Sequence, residues 1–178
     1  DQGKLTGIIT IGDIANAYMD VYDNCILSTA KTSYKNILET LDAKMIVGSE
    51  DGFFESGEVV IATANPDVLE DYIHPGDMVI LGNRYETQLC AIEMGAACVV
   101  ISMGAKVSKT IQHFAKEHNC IVINTPYDSF TVARLINQSM SIGYFMKKEK
   151  LTFRSDLKGI PKLCCLPDSP FQHISGIP

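Results

Sequence analysis

Through the middle of the chain, short uninterrupted apolar runs alternate with segments whose apolar residues recur at helical spacing. Met45–Val47, Val59–Ala62, Met78–Leu81, Val99–Ile101 and Ile121–Ile123 are the strand-length runs. Between and after them, Val68, Leu69, Tyr72 and Ile73, then Leu89, Ile92 and Met94, then Ile111, Phe114 and Ala115, and finally Val132, Leu135, Ile136 and Met140 mark apolar helix faces. Asn65-Pro66, Ser108 and Asp128 stand where helices start, because their short side chains can accept from free first-turn amides and proline suits the first helical position. Strands apolar at every position, not at alternate ones, are buried on both faces. The pattern therefore predicts a three-layer α/β domain with a mostly parallel sheet between helices.

The two ends differ from this middle. Leu5–Ile9 predicts a short strand, and Asp13–Tyr18 a helix with Ile14, Ala17 and Tyr18 on one face. A polar stretch, Asp20–Thr32, follows and marks a boundary; Ile37, Leu38 and Leu41 then predict a second short helix. The Gly-rich, acidic stretch Gly48–Gly57 is expected to be a connection. From Lys147 to Pro178 no period is sustained, and this segment is expected to be a tail, disordered in part. The expected division is 1–31, 32–146 and 147–178. Because the chain opens at Asp1, directly before what resembles the second half of a structural unit, it is expected to be a fragment of a longer polypeptide.

Composition narrows the function classes. Hydrophobic residues make up 46% and charged residues 20% of the 178, which suits a packed globular core. No apolar run approaches the roughly 20 residues of a membrane helix. A net charge of −6 argues against nonspecific nucleic-acid binding, which rests on neutralising phosphates. The expected partners are small molecules or proteins, with neither membrane nor nucleic acid. The six cysteines include Cys90 and Cys98 within apolar segments and no Cys-x-x-Cys pair, so reduced thiols in the cytoplasm are expected, without zinc.

Two segments carry candidate chemistry. In Gly7-Ile8-Ile9-Thr10-Ile11-Gly12-Asp13 a strand ends in a hydroxyl residue with a carboxylate three positions on, at a helix start. Thr10 suits a phosphate or ribose, and Asp13 suits ribose hydroxyls. The same pair also serves as a helix cap with no ligand. The second segment, Gly82-Asn83-Arg84, follows the strand Met78–Leu81: a glycine for a tight turn, then an arginine beside a helix N-terminus that suits a carboxylate or phosphate. Its alternative is a structural ion pair of Arg84 with Asp77, Glu86 or another acid. His113 and His118 lie five apart, on different sides of a helix, and make no shared metal face.

The segment Gly3–Ile14 resembles the closing strand and helix of a CBS motif. That resemblance implies that Thr10 and Asp13 hold the ribose and phosphate of an adenine nucleotide, although the rest of the motif is absent here. Four further segments, Val79–Arg84, Gln88–Ile92, Cys98–Gly104 and Thr125–Thr131, together resemble the DRTGG domain, with Asn83 where that family usually has Asp and Met103-Gly104 where a glycine pair is common. A CBS motif followed directly by a DRTGG domain is similar to the regulatory insert of CBS-containing family II inorganic pyrophosphatases. The resemblance implies AMP or ADP as inhibitors, ATP or diadenosine polyphosphates as activators, and homodimerisation. It also implies a catalytic part, outside these residues, that uses manganese or cobalt; no cofactor and no catalysis are expected of the chain itself. Two alternatives stay open: a DRTGG module that mainly dimerises, and the N-terminal region of a phosphotransacetylase-like enzyme.

Overall fold

The computed structural model describes residues 9–13, 15, 23–145, 154–155 and 161–162. They belong to two units, one spanning Ile8–Met146 and the other formed by Asp1–Gly7 with Lys147–Pro178. The expected strand Leu5–Ile9 lies almost entirely outside the described residues, as does most of the expected tail.

The larger unit is built on a five-stranded sheet of β2 (Lys44–Val47), β4 (Val59–Ile61), β5 (Met78–Leu81), β6 (Cys98–Ile101) and β7 (Ile121–Asn124), in the order β2-β7-β6-β5-β4. Strands β4 to β7 run parallel, and β2 pairs antiparallel with β7 at one edge. All four residues of both β5 and β6 are buried, which is why these runs carry no polar position. Successive side chains go to opposite faces. Val79, Leu81, Val99, Ile101 and Val122 meet α3 (Pro66–Leu69), α4 (Tyr85–Glu93) and α5 (Lys109–Glu117) through Leu69, Ala91, Ile92, Ile111 and Ala115. Met78, Ile80, Cys98, Val100 and Ile123 face α1 (Ile26–Thr29), α2 (Tyr34–Thr40) and α6 (Ser129–Leu135) through Ile26, Leu27, Ile37, Leu38 and Val132. A fully buried Ile, Leu or Val contributes about 1.5–3 kcal/mol, so this double packing holds the sheet's C-terminal edge rigidly in place.

Three local differences from the sequence pattern have identifiable causes. The stretch Asp20–Thr32, polar on average, contains α1, whose Ile26 and Leu27 are buried in the core. Within the Gly-rich connection, β3 (Phe53–Phe54) pairs antiparallel with β1 (Thr32–Ser33), and Phe54 is buried. Elements of two or four residues are too short to show a period. The helix expected to reach Ile73 ends at Leu69, and its cap residue Asn65 makes no side-chain cap bond; only the proline at its start behaves as expected. Beyond α6, a 3-10 turn (Ile136–Ser139) and α7 (Ile142–Phe145) complete this unit. In the other unit, β8 (Arg154–Ser155) and β9 (Pro161–Lys162) pair antiparallel within the expected tail.

Asp77, 2% exposed, fixes the entry to β5: its carboxylate accepts from Glu58 N at 2.9 Å and His74 N at 2.8 Å. Gly57 is required beside it. Its φ is +85°, and a Cβ there would come within 2.3 Å of the Gly76 carbonyl oxygen. Among the described residues Cys25, Cys90, Cys98 and Cys120 are free thiols. Burial raises the Cys98 pKa well above the ordinary thiol value and pushes that of Cys120 up to about 12, so both stay protonated and poorly reactive.

Candidate functional site

Thr10 and Asp13 are brought together. Residues 11–13 and 15 are helical, so the helix begins two residues before the expected Asp13, with Thr10 at its cap and Asp13 in its first turn. The Thr10 hydroxyl donates to Asp13 Oδ2 at 2.6 Å, and Thr10 N donates to the same oxygen at 2.8 Å. In return Asp13 N donates to Thr10 Oγ1 at 3.2 Å. This is a reciprocal capping box with Asp in place of the usual Glu. Thr10 is exposed and Asp13 half-buried, so the pair presents a carboxylate and a hydroxyl at the surface of a helix start.

The second candidate segment lies at the C-terminal edge of the parallel strands. Leu81 ends β5; Gly82, Asn83 and Arg84 lead directly into α4, and Arg84 occupies its cap position. Gly82 does not make the tight turn expected of it. Its backbone is outside the left-handed region and a Cβ there would meet nothing within 4 Å. Its carbonyl accepts from Gln88 Nε2 at 3.0 Å, which ties the end of the strand to α4 through a side chain. Arg84 forms no ion pair among the described residues, with Asp77, Glu86 or another acid, and the Asp77 carboxylate accepts from the two amides named above. Arginine has no acceptor atom, so α4 starts without a side-chain cap. The other long helix, α5, is capped by Ser108, which accepts from Ile111 N at 3.2 Å, and α6 by Asp128, which accepts from Phe130 N and Thr131 N at 3.0 Å.

Neighbouring groups at this edge are tied to one another. Ser102, fully buried, donates through Oγ to Leu81 O at 3.0 Å and lies 3.1 Å from Ser129 Oγ. The Thr125 hydroxyl donates to Leu41 O at 2.6 Å. Met103 N donates to Tyr127 O, and Met103 itself takes φ 58°, a conformation glycine adopts without strain. Thr87 stands apart. It is 3% exposed, and its hydroxyl is buried without any hydrogen-bond partner. No local pattern points to it, because one threonine inside a helical stretch is ordinary, and none shows Ser102, Ser129 or Asp77 to be networked. Hydrogen bonds from the Thr131 hydroxyl and amide hold the Asp128 carboxyl below its ordinary pKa. Among the described residues, no group of three or more His, Cys, Asp or Glu side chains is placed to hold a metal ion. His113 faces Glu117 at 3.4 Å, and His118 Nδ1 lies 2.9 Å from Phe114 O. Among the described residues, no helix is long and apolar enough to cross a membrane.

Comparison with known proteins gives a consistent picture. The chain is 39% identical over 150 residues, 84% of its length, to the cobalt-dependent inorganic pyrophosphatase of Clostridium perfringens. It is 30% identical over 146 residues to a probable manganese-dependent inorganic pyrophosphatase of Thermotoga maritima. It spans 27% of the length of each of these relatives. Its structure matches the CBS and DRTGG domains of the regulatory region of the Clostridium perfringens pyrophosphatase, solved with the activator diadenosine tetraphosphate. That match has a TM-score of 0.77 and 38% identity, and covers 85% of this chain and 66% of that one. The DRTGG family model matches residues 36–139, more than half of the chain and nearly the whole sheet with its helices, so the chain belongs to the DRTGG domain family.

Proposed function

We propose that these residues form the regulatory, non-catalytic part of a manganese- or cobalt-dependent inorganic pyrophosphatase, in which residues 1–31 close a CBS motif that senses adenine nucleotides. The observation that carries this reading is the likeness to a regulatory region solved with a diadenosine tetraphosphate activator, at an identity well above that needed for fold alone. The surface pair Thr10 and Asp13 supports it. A ribose hydroxyl donating to Asp13 Oδ2 competes with the Thr10 hydroxyl, which sits 2.6 Å from that oxygen. Once displaced, the Thr10 hydroxyl turns to a phosphate oxygen, so one ligand satisfies both groups. AMP and ADP are the expected inhibitors, ATP and diadenosine polyphosphates the expected activators. The partners are a second copy of the chain and the catalytic domains of the same polypeptide, in a cytoplasmic setting.

Isothermal titration of the intact polypeptide with AMP, ADP, ATP and diadenosine tetraphosphate tests the reading, with saturable binding of at least one expected. Absence of binding by all four overturns nucleotide sensing. Sedimentation at tens of micromolar, by rough expectation for a standard-size interface, should give a dimer, and a monomer would remove the two-fold arrangement. The 178 residues alone are expected to release no phosphate from pyrophosphate with manganese, cobalt or magnesium.

A further inference from the structure

We infer that the outer face of the helix layer α3–α4–α5 is the surface through which two copies of the chain pair, with α4 of each copy lying along α5 of the other. This rests on the dimer proposed above and adds where its two copies meet. The three helices lie side by side on one face of the sheet with α4 in the middle, because each connects neighbouring parallel strands. Charge is divided across this row. From Met45 to Ala105 the sequence holds a single Lys or Arg, Arg84, whereas Lys106, Lys109 and Lys116 follow directly. The exposed charges of α3 and α4 are thus Asp67, Glu86 and Glu93, and those of α5 are Lys109 and Lys116 beside a Glu117 that His113 engages at 3.4 Å.

The spacing of these charges selects the partner. Glu86 and Glu93 are seven residues apart and lie, with half-buried Leu89 between them, on the side of α4 opposite the buried Thr87, Gln88 and Ala91. Lys109 and Lys116 are also seven apart and lie, with His113 between them, on the side of α5 opposite the buried Ile111 and Ala115. Seven residues rise about 10.5 Å in either helix. Both helices start from the C-terminal edge of the parallel strands and run the same way. A two-fold axis parallel to them and between them therefore sets α4 of one copy along α5 of the other in the same direction. Glu86 then meets Lys109 and Glu93 meets Lys116, each pair occurring twice by symmetry. Within one copy none of these four side chains has an ion-pair partner among the described residues. A row that is acidic on one side and basic on the other is complementary to itself after a half-turn, whereas a partner of uniform charge is repelled by one half of it.

The test is sedimentation equilibrium of the chain at low salt, with the variants Glu93→Lys, Lys116→Glu and the two combined. Both positions are exposed, so the variants should fold with the melting temperature of the parent. Each single reversal sets like charges against each other at two symmetry-related points and should raise the dimer dissociation constant about tenfold or more. The combined variant exchanges the charges and should return the constant to within about threefold of the parent, a recovery that a local effect on folding does not give. Added salt should weaken the parent dimer, because exposed pairs are screened. A parent dimer unmoved by both single reversals overturns this interface and leaves the proposed dimer standing. Weakening that the combined variant does not reverse overturns the pairing as well. A parent that is monomeric at roughly tens of micromolar removes the interface and the dimer together.

Discussion

The helix start at Thr10 and the helix start at Arg84 solve the same problem in opposite ways. At the first, hydroxyl, carboxylate and two amides are hydrogen-bonded to one another within a single turn. At the second the cap position holds a cation, which cannot accept from the first-turn amides. A capping box is complete on its own, so binding there means exchanging one set of hydrogen bonds for another. An uncapped start leaves its first-turn amides to solvent. Local sequence therefore says more about the first than the second, even though the second lies within the better-packed part of the molecule.

The largest expected effect sharpens the role of the first site. On the proposed reading, in which Asp13 holds a ribose, Asp13→Ala in the intact polypeptide removes charge-assisted hydrogen bonds each worth about 1.5–3 kcal/mol, so titration calorimetry should show adenine-nucleotide affinity falling tenfold or more. Arg84→Gln should leave the same affinity within about twofold, since among the described residues Arg84 makes no ion pair or hydrogen bond with that pair and additivity holds between separate groups. Next in size, Thr87→Val should stabilise the chain by about 1 kcal/mol, measured by urea unfolding, because a buried unsatisfied hydroxyl is removed without changing shape. A loss of stability would mean that the hydroxyl is already partnered. The smallest effect concerns a third helix start. Hydrogen bonds from the Thr131 hydroxyl and amide hold the Asp128 pKa below its unfolded value of 3.8. Its contribution is thus complete above that value and is lost as pH falls through the lower folded value. In melts between pH 7 and pH 2, Asp128→Asn should flatten this part of the acid limb and leave the remainder unchanged.

Legibility in the sequence followed the length and burial of each element. β5 and β6 were readable because all four positions of each are buried, and α5 because Ile111 and Ala115 share a face below a Ser108 cap. Helix α1 and the β1–β3 pair were not, since Ile26-Leu27 and Phe53-Phe54 are apolar pairs too short to show a period, and the burial of Ile26, Leu27 and Phe54 depends on distant parts of the chain. The Thr10–Asp13 pair was legible because spacing three apart is a property of a helix start. Gly82 misled, since glycine suggests a backbone constraint where the structure has none. Thr87 and the Ser102–Ser129 contact, between residues 27 apart, arise only from packing at the sheet edge and leave no mark in local sequence.

Nucleotide sensing through Thr10 and Asp13 is tested most directly by following the amide resonances of both residues while diadenosine tetraphosphate is added to the intact polypeptide. Asp13 N donates to Thr10 Oγ1, and Thr10 N to Asp13 Oδ2, so a ligand that takes over either side chain must move both signals. The account predicts that the two shift together and saturate at one ligand affinity, matching that found by calorimetry. Saturable binding that leaves both resonances in place would contradict it.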